Sequence, residues 1–340
     1  MDNNVSVVKG KKGIYGSTLK LIAIITMLID HIGAVILQRM LAARGMSNAI
    51  NALAAHEFLS ESGGLYGTFI LMRLIGRVSF PIFCFLLVEG FIHTRSIWKY
   101  AFRLAVFALV SEIPFDLATE GKLFYFDYQN VFFTLLIGLF VMIGFKIFAE
   151  KAKDKKWLPV LAVIGAIALG YSSVYAPFGV IRYINDFING FTSGFARDTT
   201  SQVNMKGFIA AIILSLIALV VYGIMIKKYS LKKASLRFAD LTVLIAGLYL
   251  AQFLKTDYSA FGVLTIAVMY GLRKSHVKSM LGGCVTLTIM SATEAPAFLD
   301  IILAHLYNGK RGLKLRYVFY AFYPVHLFLL YMICYFMDIL

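Results

Sequence analysis

Charge is what this chain has least of. Of its 340 residues only 15% are Asp, Glu, Lys or Arg, while 60% are hydrophobic, and mean hydropathy is +0.78. Soluble globular domains run to about a quarter charged, so a water-soluble fold is excluded and a polytopic membrane protein is expected. Cysteine is nearly absent too. Cys84, Cys284 and Cys334 lie in apolar segments without a pairing pattern, so they read as small core hydrophobes rather than a disulfide framework or a thiolate metal site. No metal-ligand spacing, P-loop, GxSxG elbow or HExxH stands in a fitting context, and no metal cofactor is expected. Acids are outnumbered 18 to 33, for a net charge of +15. Nucleic acid is a tempting partner for such a chain, but the bases fall in short clusters between apolar runs, with no basic domain. That is a positive-inside pattern, and the expected partner is the bilayer, not nucleic acid.

Apolar runs are what the chain has in abundance. Spans are expected at about 19–37, 68–93, 100–117, 130–148, 157–175, 207–226, 237–254, 259–273, 279–292, 295–307 and 316–338. The runs at 279–292 and 295–307 also read as one segment broken at Glu294 and Pro296. The fold class is therefore all-α, a polytopic transmembrane helix bundle of 10–11 spans, with residues 1–340 forming a single domain. Eleven spans with the N-terminus inside put 24 of the 33 basic residues on the cytoplasmic side, which favours that count over ten. The basic tail 1–18 runs into the first span with no convincing cleavage site, so a retained helix in the cell membrane is expected. The long connections 38–67 and 176–206 then face outward.

The first span, LKLIAIITMLIDHIGAVIL, carries Asp30 and His31 in its second half. Ionisable groups at membrane depth are expensive, which makes both functional candidates. Lys20 stands eleven positions before His31, so the two share a helix face roughly 16 Å apart along the axis. A surface cation below a base at mid-depth suits a long ligand with an anionic head and a reactive end inside the membrane. The bland alternative is a histidine satisfied by a neighbouring helix, beside an Asp paired to an Arg.

Arg73 and Arg77 lie one turn apart in the second span, with Pro81 following to loosen the helix. Their anions are either Asp30, Glu89, Glu112 and Asp116, in an internal network, or the phosphates or carboxylate of a ligand. Glu112 and Asp116 share a face near the outer end of the third span. Asn130 and Asp257 sit at helix starts, where N-capping is the simple role. His326, after Pro324 in the last span, is a second intramembrane histidine, able to orient a substrate or to serve as a structural hydrogen bonder. His56, His93, His276 and His305 fall in loops or near interfaces and receive no role.

LKLIAIITMLIDHIGAV, RLIGRVSFPIFCFLLVEGF, RLAVFALVSEIPFDL, NVFFTLLIG, DYSAFGVL, YNGKRG and FYAFYPVHLFLLY follow in order from residue 19 to 331 and together resemble the TraX family, named for the protein that acetylates F-pilin. More distantly, Lys20 with ten residues to His31 is similar to the Arg/Lys-x10-His element of membrane acyltransferase family 3. FPIFCFLLVEG is similar to a block of the lysosomal heparan-glucosaminide acetyltransferase. The resemblance implies a transmembrane acyltransferase taking acetyl-CoA or another acyl-CoA from the cytosol, with His31 catalytic and Lys20 on the donor side. The acceptor would be a small molecule, glycan or peptide presented from the membrane or beyond.

Acyl transfer from a thioester needs a base for the incoming amine or hydroxyl and a stabiliser for the oxyanion. His31 fits the first, with Asp30 or another acid orienting it. An Arg or a backbone N–H freed near Pro81 fits the second. Lys20, Arg95, Lys99, Arg103, Lys310 and Arg311 are the cations available for the donor's phosphates. The rival class is a proton- or anion-coupled transporter using the same Asp30, His31, Arg73, Arg77 and His326. A second copy of the Lys20–His31 segment, as an internal repeat would supply, is not present.

Overall fold

A computed structural model describes residues 13–46, 52–151, 156–176, 205–313 and 316–340, and the described chain is helical throughout. The helices are α1 (Gly16–His31), α2 (Gln38–Ala43), α3 (Ala52–Gly76), α4 (Ser79–His93), α5 (Ile97–Glu120), α6 (Val131–Lys151), α7 (Leu158–Tyr175), α8 (Met205–Lys228), α9 (Leu231–Phe253), α10 (Ser259–Gly271), α11 (His276–Met290), α12 (Asp300–Leu306) and α13 (Arg316–Phe336). A π-helical turn, Ile32–Leu37, joins α1 to α2, and a 3₁₀ segment, Ala292–Leu299, joins α11 to α12. Seven described helical runs are long and apolar enough to cross a membrane, which makes this an all-α polytopic protein. Of the other expected spans, α5 is long enough but carries Lys99, Arg103, Glu112 and Asp116. α10, α11 and α12 have only 13, 15 and 7 residues.

Two expectations change. The stretch 38–67 reads as a polar connection, yet α2 covers Gln38–Ala43 and residues 52–67 are the opening turns of α3, a 25-residue helix. Glycine and serine mask the helix in the sequence; Thr68 Oγ1 donates back to the Gly64 carbonyl as helical hydroxyls do. The expected span 68–93 is two helices, separated at Arg77 and Val78. Pro81 has no N–H to give the Arg77 carbonyl, so the i→i−4 ladder stops there. Ser79 Oγ donates to the Gly76 carbonyl at 2.8 Å. The connection 176–206 lies almost wholly outside the described residues, as do residues 1–12 of the tail 1–18.

The chain divides into two compact units, Met1–Leu136 with Thr265–Leu340, and Ile137–Leu264. In the first, α1 buries Leu19, Ala23, Ile24 and Met27 along one stripe and leaves Leu21 and Ile25 exposed on the opposite side. α1 packs on α3, α4 and α13, and α13 also lies along α5 and the π turn. Close approach is built in at Gly76, where a Cβ would stand 2.2 Å from the Cβ and Oδ1 of Asp30. The start of α1 is strapped by the YNGKRG segment. Gly16 and Ser17 N–H donate to the carbonyls of Lys310 and Arg311, both at 2.9 Å, and Ile14 bridges Tyr307. Gly312, at φ +73°, makes the strap possible, because a Cβ there would meet Ser17 Oγ at 2.1 Å.

In the second unit, α7, α8 and α9 pack through small residues: Ala162, Ala166, Ala218 and Ala234 form a core with Tyr222 and Phe238. Hydroxyls link the helices. Thr242 Oγ1 donates to the Leu161 carbonyl at 3.0 Å, Ser215 Oγ to the Ile167 carbonyl at 3.1 Å, and Tyr222 pairs with Ser235 at 2.6 Å.

Candidate active site

His31 ends α1, at the point where the helix widens into the π turn, a distortion often found at functional positions. Its Nδ1 is 2.6 Å from Nε2 of His326, and the two rings are nearly parallel, with centroids 4.9 Å apart. His326 is buried and its Nδ1 lies 2.7 Å from the Phe322 carbonyl one turn earlier in α13. Pro324 sits inside this turn. Phe322 stacks on His326, and Tyr323 stands edge-on to both imidazoles.

Beside this pair lie two ion pairs. Asp30 Oδ2 accepts from Arg73 Nη1 at 2.7 Å, and Arg77 Nη1 lies 2.8 Å from Glu294 Oε1. Of the anions open to the two arginines, Asp30 takes Arg73. Glu294, in the 3₁₀ segment and 2% exposed, takes Arg77. Glu294 is the residue that sequence reasoning missed, having been read only as a helix break. The rule that singled out Asp30, an acid inside a long apolar run, applies to it equally. Asp30 is held by Arg73, and the hydrogen bond that orients the His31 ring is made instead with His326.

Lys20 and His31 both contact α13: Lys20 Nζ stands over the Phe319 ring, 5.3 Å from its centroid. Between these two points α13 presents Tyr320, stacked on Phe107 at 4.9 Å, and Tyr323, edge-on to Phe132. Arg103 lies over the Tyr100 ring at 5.9 Å on neighbouring α5. The result is an aromatic wall running from the Lys20 end of α1 to its His31 end.

Asn130 starts α6, where its Oδ1 accepts from Phe132 N–H at 3.0 Å, an N-cap. It also donates to the Ala108 carbonyl at 2.8 Å and to Glu112 Oε2. Asp116 Oδ2 accepts from Tyr125 N–H at 2.8 Å, so Glu112 and Asp116 fasten the loop between α5 and α6. Glu89 is apart from both arginines. Tyr307 OH donates to its Oε2 at 3.4 Å, and His276 Nε2 and His93 Nδ1 lie 3.8 and 4.0 Å from its carboxylate, near the strapped start of α1. Lys310 and Arg311 side chains are exposed on the strap. Asp257 belongs to the second unit, where its Oδ1 accepts from Tyr258 N–H at 3.0 Å. Among the described residues no cluster of His, Cys, Asp and Glu has the arrangement of a metal site.

These features define a polytopic membrane protein with a titratable centre of two imidazoles and two ion pairs in its first unit. The chain belongs to the TraX family: the family description "TraX protein" matches residues 15–185 and 200–334. A curated relative from Dichelobacter nodosus, named probable fimbrial assembly protein FimC, serogroup H1, is 25% identical over 321 residues, covering 92% of each chain. No solved structure matches the chain.

Proposed function

We propose that the chain is an integral-membrane acetyltransferase that carries an acetyl group from cytosolic acetyl-CoA to an amine or hydroxyl acceptor at the membrane. The observation that carries this reading is the His31–His326 pair, held 2.6 Å apart at one end of an aromatic wall whose other end carries Lys20. A half-buried base next to a buried neutral partner, reached along a face that starts with a cation, matches a donor with a charged head and a reactive thioester tail. Family membership and a relative named for fimbrial assembly support it, and point to a surface-appendage subunit among the acceptors to be tried.

In this reading His31 Nε2 takes the proton of the acceptor X–H as X attacks the thioester carbonyl. The X–C bond forms, the C–S bond breaks, and the proton passes to the leaving thiolate to give CoA thiol. Arg73 Nη1 donates to Asp30; in this reading the remaining guanidinium N–H groups are the donors assigned to the charge that develops on the carbonyl oxygen. The donor's phosphates lie with Lys20, Arg103, Lys310 and Arg311 on the cytoplasmic side, the side to which the positive-inside pattern assigns the strap.

The test is acetyl transfer by purified protein in nanodiscs, with radiolabelled acetyl-CoA and a panel of amines, sugars and pilin-derived peptides. His31→Ala is expected to lose on the order of 10² to 10⁴ in rate while unfolding at the wild-type temperature. Near-normal turnover by well-folded His31→Ala would remove His31 from the chemistry.

A further inference from the structure

We propose that His326 is a positioning residue that sets the tautomer of His31, leaving Nε2 of His31 as the free base. This rests on the reading of His31 as the base in acyl transfer.

The argument runs from the one partner in the chain whose role is fixed. A backbone carbonyl only accepts, so the 2.7 Å contact between His326 Nδ1 and the Phe322 oxygen puts the proton on His326 Nδ1. In an uncharged imidazole the other nitrogen is then an acceptor. His326 Nε2 therefore accepts, and its 2.6 Å partner, Nδ1 of His31, donates. One proton on each ring is used up, and the lone pair of His31 falls on Nε2. Isolated imidazole side chains in water favour the opposite tautomer, with the proton on Nε2. The chain Phe322 carbonyl, His326, His31 thus holds His31 in the less populated form, which alone presents a lone pair from Nε2. Serine-protease triads solve the same problem with a carboxylate on the Nδ1 side of the base. Here the carboxylate next to His31 in the chain, Asp30, is held by Arg73 at 2.7 Å, and a neutral imidazole takes the orienting position.

A neutral partner suits the location. A carboxylate bonded to His31 would draw a second charge into the membrane whenever the base was unprotonated, and each such charge is costly there. The imidazole orients the ring without carrying charge at rest. When His31 Nε2 takes the acceptor's proton, the Nδ1 proton can shift toward His326 Nε2. The positive charge is then shared over two rings, with Phe322 O behind the second and the Tyr323 ring edge-on to both. Proton count is unchanged by the shift, and the charge leaves when Nε2 gives its proton to the CoA thiolate.

The test reads the tautomer directly, apart from activity. Protein labelled with ¹⁵N-histidine is placed in nanodiscs, and the His31 resonances are identified by their absence in His31→Gln. In the wild type Nδ1 of His31 is expected to be protonated and Nε2 bare. His326→Ala is expected to move the proton to Nε2 and to lower kcat roughly 10²-fold or more, with little change in the KM for acetyl-CoA. His326→Gln, whose amide oxygen can accept from Nδ1, is expected to restore the wild-type tautomer and part of kcat. A His31 protonated on Nε2 in the wild type overturns the proposal, as does a His326→Ala protein whose tautomer and kcat are both unchanged. The wild-type tautomer in a protein that transfers no acetyl group would instead count against the acetyltransferase reading and leave the imidazole pair standing.

Discussion

The two units of this chain spend buried polarity in opposite ways. In the first, what lies among the helices is charged or titratable: Asp30 on Arg73, Glu294 on Arg77, Glu89 beside Tyr307 and His276, and His31 on His326. In the second, the described hydrogen bonds between helices are hydroxyl to carbonyl or hydroxyl to hydroxyl, set among alanines and glycines, and a half-buried carboxylate, Asp240 on α9, is the exception. Small residues and hydroxyls hold membrane helices together at modest energy, on the order of 0.6 kcal/mol per hydrogen bond, without placing charge in hydrocarbon. Charges there cost several kcal/mol and are retained where they work. A bundle that needed only to stand in the membrane would be built like the second unit, so the first unit is where function is to be sought.

The largest expected contrast comes from breaking a buried ion pair. Glu294→Ala leaves Arg77 without the carboxylate that lies 2.8 Å from it, and Glu294 is only 2% exposed. An orphaned buried charge destabilises by about 3 to 5 kcal/mol. The thermal midpoint in detergent should fall sharply, and activity with it, whereas an Arg77→Met, Glu294→Leu double variant should recover much of the midpoint. A single variant as stable as wild type would show that the pair is solvated and not buried among the helices.

The matching break in the second unit is Gly165→Leu. A Cβ at Gly165 would lie 2.2 Å from Thr242 Oγ1 and 2.5 Å from the Phe238 carbonyl. Helix separation must grow, at a cost of about 1 to 3 kcal/mol. The comparison predicts a lower midpoint with turnover per folded molecule unchanged. Lost turnover in protein that remains folded would place part of the chemistry in the second unit.

Much of this contrast is legible in the sequence, and the part that is not has physical causes. The apolar runs announce helices because a membrane leaves no other way to satisfy the backbone. Asp30, His31, Arg73, Arg77 and His326 stand out because each is a costly residue in such a run. Pairing is another matter. Which acid meets which guanidinium depends on helix packing, so Arg77 finds Glu294 more than two hundred residues away, and His31 turns to His326 instead of its neighbour Asp30. The break at Arg77 is readable from Pro81, given that a missing N–H four residues on frees a carbonyl. The helical character of 52–67 is hidden, because Gly63, Gly64 and Gly67 mimic a loop while having open space where a side chain would go.

The smallest expected effect sharpens the comparison inside the first unit, between the cation near the start of α1 and the base at its end. Lys20 is half-buried, and its ammonium stands 5.3 Å from the centre of the Phe319 ring. It lies roughly eleven residues, or about 16 Å, along the helix from His31. A donor whose phosphates rest near Lys20 and whose thioester reaches His31 meets the two residues at different stages of the reaction. Lys20 interacts with a charge that is the same in the bound donor and in the transition state, so it contributes binding without discrimination. His31 acts on a proton that moves only as the bond forms. Lys20→Ala is therefore expected to raise the KM for acetyl-CoA several-fold, worth about 1 kcal/mol, with kcat nearly unchanged. The effect should shrink as salt rises, because a partly exposed ion–phosphate contact is screened within a Debye length of about 8 Å near physiological ionic strength. Lys20→Arg should keep most of the affinity, since charge rather than fork geometry is needed, and a guanidinium also stacks well on Phe319. An unchanged KM in Lys20→Ala would assign the ammonium to the Phe319 ring and the lipid surface alone. A fall in kcat with KM constant would mean that Lys20 acts on the reacting centre, which its place near the start of α1 does not allow unless the donor binds in the reverse direction.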